Sequence, residues 1–301
     1  YYAFEYGKVH FIVLDNIVWH NPPEEDGHYV EALGQQQLNW LEEHLTHVPD
    51  EKLLVLAGHA PVVALDSVEV KVNLKDGREL FRVLQEREQV LMLAGHYHLL
   101  ERILVDQRLG WEGDHPVEHI TCAAVCGTWW GGSGDERGIP IADQRDGVPN
   151  GYHIFQFRGT EYSQRFKPAS RDEDFQIRIS APRGFLPRQE LSSSRITANV
   201  FNTGPHWRVE YQWDDSGFKP MNNVVSKDPY IRKLFAEDPA YESREARNSL
   251  HLWEAPLPEN APRGIHTITV RATDEHGDQF KASRIIEIIE DGEVSLFKEG
   301  R

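Results

Sequence analysis

The sequence predicts an α/β domain followed by an all-β, sandwich-like domain, and three observations carry that prediction. Between Lys8 and Asp106, short apolar runs alternate with segments of helical periodicity. Two of those runs end alike: KLLVLAGHAP delivers Gly58 and His59, and VLMLAGHYH delivers Gly95, His96 and His98. Beyond Asp174 the helical spacing gives way to alternation of apolar and polar residues.

Taken in order, YYAFEYGKVHFIVLD reads as the middle of a sheet, so Tyr1 is expected to be an interior position of a longer protein. Val9 to Asp15, Leu53 to Ala57 and Val90 to Ala94 are apolar runs of the kind found in strands buried on both faces. Between them, Gln35 to Val48 sets Leu38, Leu41, Leu45 and Val48 on one helical face, and Arg78 to Glu88 turns Leu80, Phe81 and Leu84 inward. Leu99 to Val105, Val117 to Val125, Gly151 to Arg158 and Tyr162 to Lys167 follow as antiparallel strands. The stretch CGTWWGGSGDERGIPIADQRDGVPNGY is too rich in Gly, Pro and Asp for regular structure, and it is expected at the rim of a site. A polar linker, KPASRDED, then places the domains at 1–168 and 169–301. DFQIRIS, RITANVF, WRVEYQW, IHTITVRA and FKASRIIEII are the strands of the second domain, interrupted by an acidic, partly helical insertion from Asp228 to Ser243.

Composition excludes several classes of function. With 48 acidic and 32 basic residues the formal charge is −16, which repels nucleic-acid phosphates. No apolar run approaches the ~20 residues needed to span a bilayer. Cys122 and Cys126 lie in a strand-like run where four residues span ~13 Å, beyond the ~7 Å limit of a disulfide, so both are expected as buried thiols.

The histidines carry the chemistry. A strand that delivers Gly and then His at its carboxyl end, done twice, aims imidazoles into one crevice of an α/β fold. In an extended segment His96 and His98 point the same way with Cβ atoms ~6–7 Å apart, so their imidazoles suit two metals ~3.5–4 Å from each other.

LAGHAP and AGHYH resemble the fourth and fifth signature blocks of the calcineurin-like metallophosphoesterases, a GH block followed by GHxH. YYAFEYGKVHFIVLDN with QQQLNWLEEHL is similar to the strand and helix before the GH block, and CGTWWGG, RGIP and DGVPNGY look like the carboxyl-terminal region of a bacterial subgroup. The resemblance implies the second half of an α/β/β/α sandwich for residues 1–168, with a β domain added after it. It implies two divalent metal ions, Mn, Fe, Zn or Ni, with His59 and His96 on one and His98 on the other. It also implies hydrolysis of a small-molecule or lipid-linked phosphoester, mono- or diester, and a periplasmic or secreted location. The family's first three blocks, a DxH, a GD and a GNH followed by an acid, do not precede the GH block here. Asp15 is followed by Asn16 and Ile17, no GNH occurs, and the GD pairs at Gly113 and Gly277 come after GHxH. Those blocks, with the bridging ligand and the general acid, are expected upstream of Tyr1, so this chain alone is expected to be inactive.

Other residues stand with two readings each. His20 and His28 either overhang the site or belong to a solvated loop; Asp143, Asp146 and Asn150 either touch substrate or form turns. Trp129 and Trp130 either wall the pocket or pack between sheets, and Trp207, Trp213 and Trp253 either make a sugar-binding face or a sandwich core. Against the phosphoesterase stand a fragment whose β domain is a binding or scaffold module with vacant histidines, and a mononuclear zinc hydrolase built on the three His.

Overall fold

A computed structural model describes residues 1–20, 28–242, 244–290 and 292. Strands dominate, and no described helix is long and apolar enough to cross a membrane. The chain divides into two compact units: Tyr1–Val125 with Gly151–Arg165, and Cys126–Asn150 with Phe166–Arg301.

The first unit is built on β1 (Tyr2–Tyr6), β2 (Val9–Val13), α1 (Gln35–Leu45), β5 (Leu53–Ala57), α2 (Gly77–Leu84), β8 (Val90–Ala94), β9 (Glu101–Val105) and β10 (Val117–Thr121). Two short hairpins, β3 (Ile17–His20) with β4 (His28–Glu31) and β6 (Val63–Asp66) with β7 (Glu69–Val72), lie between these elements. One six-stranded sheet runs β1-β2-β5-β8-β10-β9. Its middle pairs, β2/β5, β5/β8 and β8/β10, are parallel, and its outer pairs, β1/β2 and β9/β10, antiparallel. The central strands β5 and β8 are apolar throughout because both faces are covered. Val9, Val55, Leu91 and Ile120 on one face pack against Phe155, Phe157 and Tyr162 of β11 (Gly151–Arg158) and β12 (Glu161–Pro168), which pair with each other. The alternate residues Ile12, Leu54, Leu56 and Met92 are buried on the other face.

Both helices obey the spacing that predicts them but are shorter than it suggests. Leu38, Leu41 and Leu45 of α1 and Leu80, Phe81 and Leu84 of α2 are buried, each contributing about 2 kcal/mol of burial. Val48, read as a fourth helical contact, is buried just beyond the last turn of α1. The start of α1 is held from outside, since the Asp76 carboxylate accepts the Leu33 and Gly34 amides at 3.0 and 2.7 Å.

The second unit contains two sheets. One runs β13 (Ile177–Ala181), β15 (Arg195–Val200), β19 (Asn248–Pro256) and β18 (Asn222–Lys227). The other runs β14 (Phe185–Pro187), β21 (Gln279–Ile289), β20 (Gly264–Thr273), β16 (Arg208–Trp213) and β17 (Lys219–Pro220). Ile177, Ile196, Ala198 and Ala255 of the first sheet share one core with Val209, Ile268, Val270 and Ile286 of the second. Trp207 and Trp213 belong to that core, Trp207 stacked on Phe280 at 5.7 Å, and Trp253 packs against it. The insertion forms α3 (Pro229–Glu237), capped by Asp228, whose carboxylate accepts the Tyr230 amide at 2.8 Å.

Segment 126–150 has no described helix or strand, as its composition predicts, yet it is tied firmly into this unit. Asp143 accepts from Arg178 Nη2 at 3.0 Å, and Arg178 lies 3.8 Å over the Tyr230 ring and also donates to the Gly147 carbonyl. Asp146 Oδ2 lies 3.1 Å from His251 Nε2, whose Nδ1 is 2.7 Å from Asn199 Oδ1. Asn199 Nδ2 in turn donates to the Asp146 carbonyl and to Asp228.

Candidate functional site

At the carboxyl ends of the neighbouring parallel strands β5 and β8, the two GH segments meet. His59 Nε2 lies 2.8 Å from His96 Nδ1, with ring centroids 4.6 Å apart. Two backbone devices place them. Asn16, buried beyond the end of β2, accepts the amides of His59 and Ala60 on Oδ1, both at 3.0 Å, and donates through Nδ2 to the Ala60 carbonyl at 2.7 Å. A Cβ at Gly58 would come 2.7 Å from Asn16 Nδ2, so the first glycine exists to let that amide side chain approach. The Gly95 amide then bonds the His59 carbonyl at 3.0 Å and joins the two loops.

The expected extended geometry of His96 and His98 does not hold. Both have left-handed backbones, φ 71° and 55°, because the chain turns sharply straight after β8. The two-apart, same-side argument therefore fails, although His98 is near enough for its charge to act on His96. Left-handed non-glycine residues cluster where function demands the strain.

His96 Nε2 is held on its far side, 3.2 Å from Glu31 Oε1 and 3.2 Å from Tyr29 Oη. Glu31 is itself fixed: Asn73 Nδ2 donates to it, and Tyr97 Oη lies 2.9 Å from its Oε2 and 2.7 Å from Asn73 Oδ1. Burial, with the Glu31 charge beside it, raises the Tyr97 pKa well above the usual phenol value, so Tyr97 stays a donor. Burial is also the leading influence on His96 and lowers its pKa, opposed by Glu31 and assisted by His59. A neutral imidazole that gives its Nε2 proton to a carboxylate keeps the Nδ1 lone pair toward His59, an arrangement that orients metal-binding histidines.

Sequence spacing found His59, His96 and His98 but missed Asn16, Glu31, Asn73 and Tyr97. Tyr97 lies within AGHYH and Asn16 within YYAFEYGKVHFIVLDN, whereas Glu31 and Asn73 carry no local signal. Among the described residues no three of His, Cys, Asp or Glu are grouped to hold a metal, so the pair of imidazoles is what converges.

The remaining expected contacts are placed elsewhere. The side chain of His20 lies outside the described residues, and His28 is exposed in β4. Asp143 and Asp146 are buried in their pairs with Arg178 and His251, and Asn150 is buried in the same unit. Trp129 and Trp130 are both exposed, at 71% and 53%, so neither packs between sheets; left-handed backbones at φ 62° and 25° turn them outward from a tight loop. Neither cysteine is in a disulfide, both are only partly buried, and burial pushes the Cys122 thiol up to about 12.

Residues 118–280, more than half of the chain, match the family profile described as the C terminal of calcineurin-like phosphoesterase. The chain belongs to the calcineurin-like phosphoesterases. Its matched span begins after GHxH, in β10, and runs through both sheets of the second unit. The phosphoesterase chain is 41% identical over 76 residues to a probable glycerophosphodiester phosphodiesterase of Arcobacter nitrofigilis, covering 24% of this chain and 28% of that protein. It is 38% identical over 88 residues to a cAMP/cGMP dual specificity phosphodiesterase of Mycobacterium tuberculosis, covering 29% of this chain and 25% of that one. It thus spans about a quarter of the length of these curated relatives. Among solved structures, the D00-D0 domain of intimin matches over 40% of this chain and 50% of its own at 16% identity, with a TM-score of 0.20.

Proposed function

We propose that the complete protein hydrolyses phosphoester bonds at a two-metal centre of which this chain holds one part, with His59, His96 and His98 as ligands. The observation that carries the reading is the convergence of His59 Nε2 and His96 Nδ1 at the ends of adjacent parallel strands, 2.8 Å apart. On this reading the first unit is the second half of the family's α/β/β/α sandwich. The donor set fits part of a divalent site, because two imidazole nitrogens face each other and a carboxylate orients one of the rings. When bound, divalent ions supply Lewis-acid stabilisation of phosphoryl oxygens and lower the pKa of a water toward neutrality.

The residues of this chain do the positioning. Glu31 accepts the His96 Nε2 proton, Tyr97 and Asn73 hold Glu31, and Asn16 fixes the loop that carries His59. Without metal, the 2.8 Å contact requires one of the facing nitrogens to carry a proton. Were His59 and His96 to hold a metal between them, both facing nitrogens would present lone pairs and the His59 ring would carry its proton on Nδ1. No DxH, GD or GNH block that could supply a bridging ligand or a general acid precedes the GH block in these 301 residues.

The substrate is a small phosphoester, as with the diesterases named above. The test is turnover of p-nitrophenyl phosphate and bis-p-nitrophenyl phosphate with added Mn²⁺, by this chain and by a polypeptide that also carries the three upstream blocks. Activity confined to the longer polypeptide and lost with His59→Ala is expected. Equal turnover by both would overturn the division of the site, and turnover by neither would overturn the enzyme.

A further inference from the structure

Three arginines of the second unit are gathered on one spot. The Arg247 amide donates to the Arg145 carbonyl at 2.8 Å, and Arg145 Nε donates to the Glu245 carbonyl at 3.1 Å, which clips segment 126–150 to residues 245–247. Arg244 is joined to the same platform through its amide, 3.0 Å from the Tyr241 carbonyl, and its guanidinium lies 5.6 Å from the centre of the Tyr241 ring. Tyr241 and Ala246 are buried in a small core with Ile231 and Phe235 of α3, so the backbone bearing these arginines is anchored on both sides of Arg244. Arg244 Nη2 lies beside Gly131 of the same unit, 3.5 Å from where a Cβ would stand, which is ordinary van der Waals contact.

The electrostatics of this cluster are unbalanced. Arg145 is depressed by burial and by the charges of Arg247 and Arg244, and Glu245 offsets them only in part. Glu245 is exposed, and none of the three guanidiniums forms an ion pair with a carboxylate among the described residues. Arg244 Nη1 is buried with no hydrogen-bond partner. Like charges held together and an orphaned buried N–H both cost stability. A chain with 16 excess acidic charges has no shortage of carboxylates to neutralise them. Of the carboxylates in this unit, Asp143 pairs with Arg178, Asp146 with His251, and Asp238 accepts from Ser133.

We infer that Arg145, Arg244 and Arg247 form an anion site in the second unit that takes the phosphate group of a small molecule. Planar guanidiniums match phosphate oxygens two at a time, and three of them match a doubly charged tetrahedral anion. The partial burial of Arg145 and Arg244 suits a small group that enters between side chains. The inference does not depend on the histidines, because every residue in it belongs to the second unit.

The experiment uses the full chain carrying His59→Ala and treated with chelator, so that phosphate has no metal to bind. Titration calorimetry with inorganic phosphate at low salt is expected to give a dissociation constant on the order of 0.1–1 mM, weakening steeply with added salt. Arg247 is exposed, so Arg247→Glu leaves the fold intact; it is expected to weaken binding about 30-fold or more, and Arg145→Gln about 10-fold. Arg158→Gln, an exposed change in β11, is expected to leave binding unaltered. Phosphate at 100 times its dissociation constant should also raise the melting temperature of the parent and not that of Arg247→Glu. Absence of binding in the parent, or equal binding in Arg247→Glu, would overturn the site while leaving the phosphoesterase reading untouched.

Discussion

His251 and His96 are both among the histidines that sit about 3 Å from a carboxylate, and the contrast between them separates architecture from chemistry. His251 has both ring nitrogens engaged, Nε2 with Asp146 at 3.1 Å and Nδ1 with Asn199 at 2.7 Å, and is buried with both partners. His96 has Nε2 engaged by Glu31 at 3.2 Å, but its Nδ1 faces a second imidazole, which has chemistry of its own to offer. The surrounding backbones differ in the same sense. His251 lies within the regular strand β19, whereas His96 holds a left-handed conformation just past the end of β8. A histidine whose donors and acceptors are all consumed stabilises a fold, and on the proposed function one held in strain with a nitrogen turned to a second imidazole serves the site.

That contrast is broken most forcefully at His251. His251→Ala leaves the Asp146 carboxylate and Asn199 Oδ1 buried without their partner, and should destabilise the second unit by about 3–5 kcal/mol, read as a lower urea midpoint. Metal binding by the first unit should be unchanged. A smaller loss is expected from Asn16→Ala, which orphans the His59 and Ala60 amides and the Ala60 carbonyl. It should cost about 3 kcal/mol and weaken metal binding as well, because His59 loses its anchor. If Asn16→Ala changed stability alone, the loop would not be positioning His59.

Much of this was legible in the sequence, and the gaps have physical causes. β5 and β8 have the expected ends because a parallel strand buried on both faces leaves an unbroken apolar run. Of the two readings of Trp207 and Trp213, the core holds: they are an even number of residues apart, Trp213 ending β16 and Trp207 just before it. β18 and β19 carry no plain alternation for the sequence to show: NNVVSK is mostly exposed, and NSLHLWEAP places a polar residue, His251, at a buried position. Asp143 and Asp146 read as turn formers or ligands because an ion pair to Arg178, 35 residues away, has no local trace. Glu31 was invisible for the same reason, since it reaches His96 from a separate hairpin.

A third test sharpens the comparison through pH. His119 is fully buried in β10, and its Nε2 accepts the Val62 amide at 3.1 Å, which requires the neutral ring. Burial pushes its pKa from 6.5 down to about 3, and burial likewise takes His153 down to about 4. In the unfolded chain both titrate near 6.5, so below that pH the unfolded state takes up protons that the folded state refuses. Stability is therefore full above about pH 6.5 and falls as the pH drops toward 4 and then 3. Each histidine should cost about 2 kcal/mol at pH 5 relative to pH 7.5, measured by urea unfolding of the first unit. His119→Gln, which keeps an acceptor for Val62 and cannot titrate, should remove about half of that slope.

The smallest expected change in stability is the most telling about the site. His98 holds φ 55°, a conformation that disfavours any residue with a Cβ and that glycine adopts freely. His98→Gly should therefore raise stability slightly, by about 0.5–1 kcal/mol, instead of lowering it as most substitutions do. If His98 is a ligand, the same variant should bind Mn²⁺ or Zn²⁺ more weakly in equilibrium dialysis, so stability and binding would move in opposite directions. A loss of stability would show that His98 supports the fold as His251 does. A gain in stability with binding intact would leave His59 and His96 as the ligands that this chain contributes.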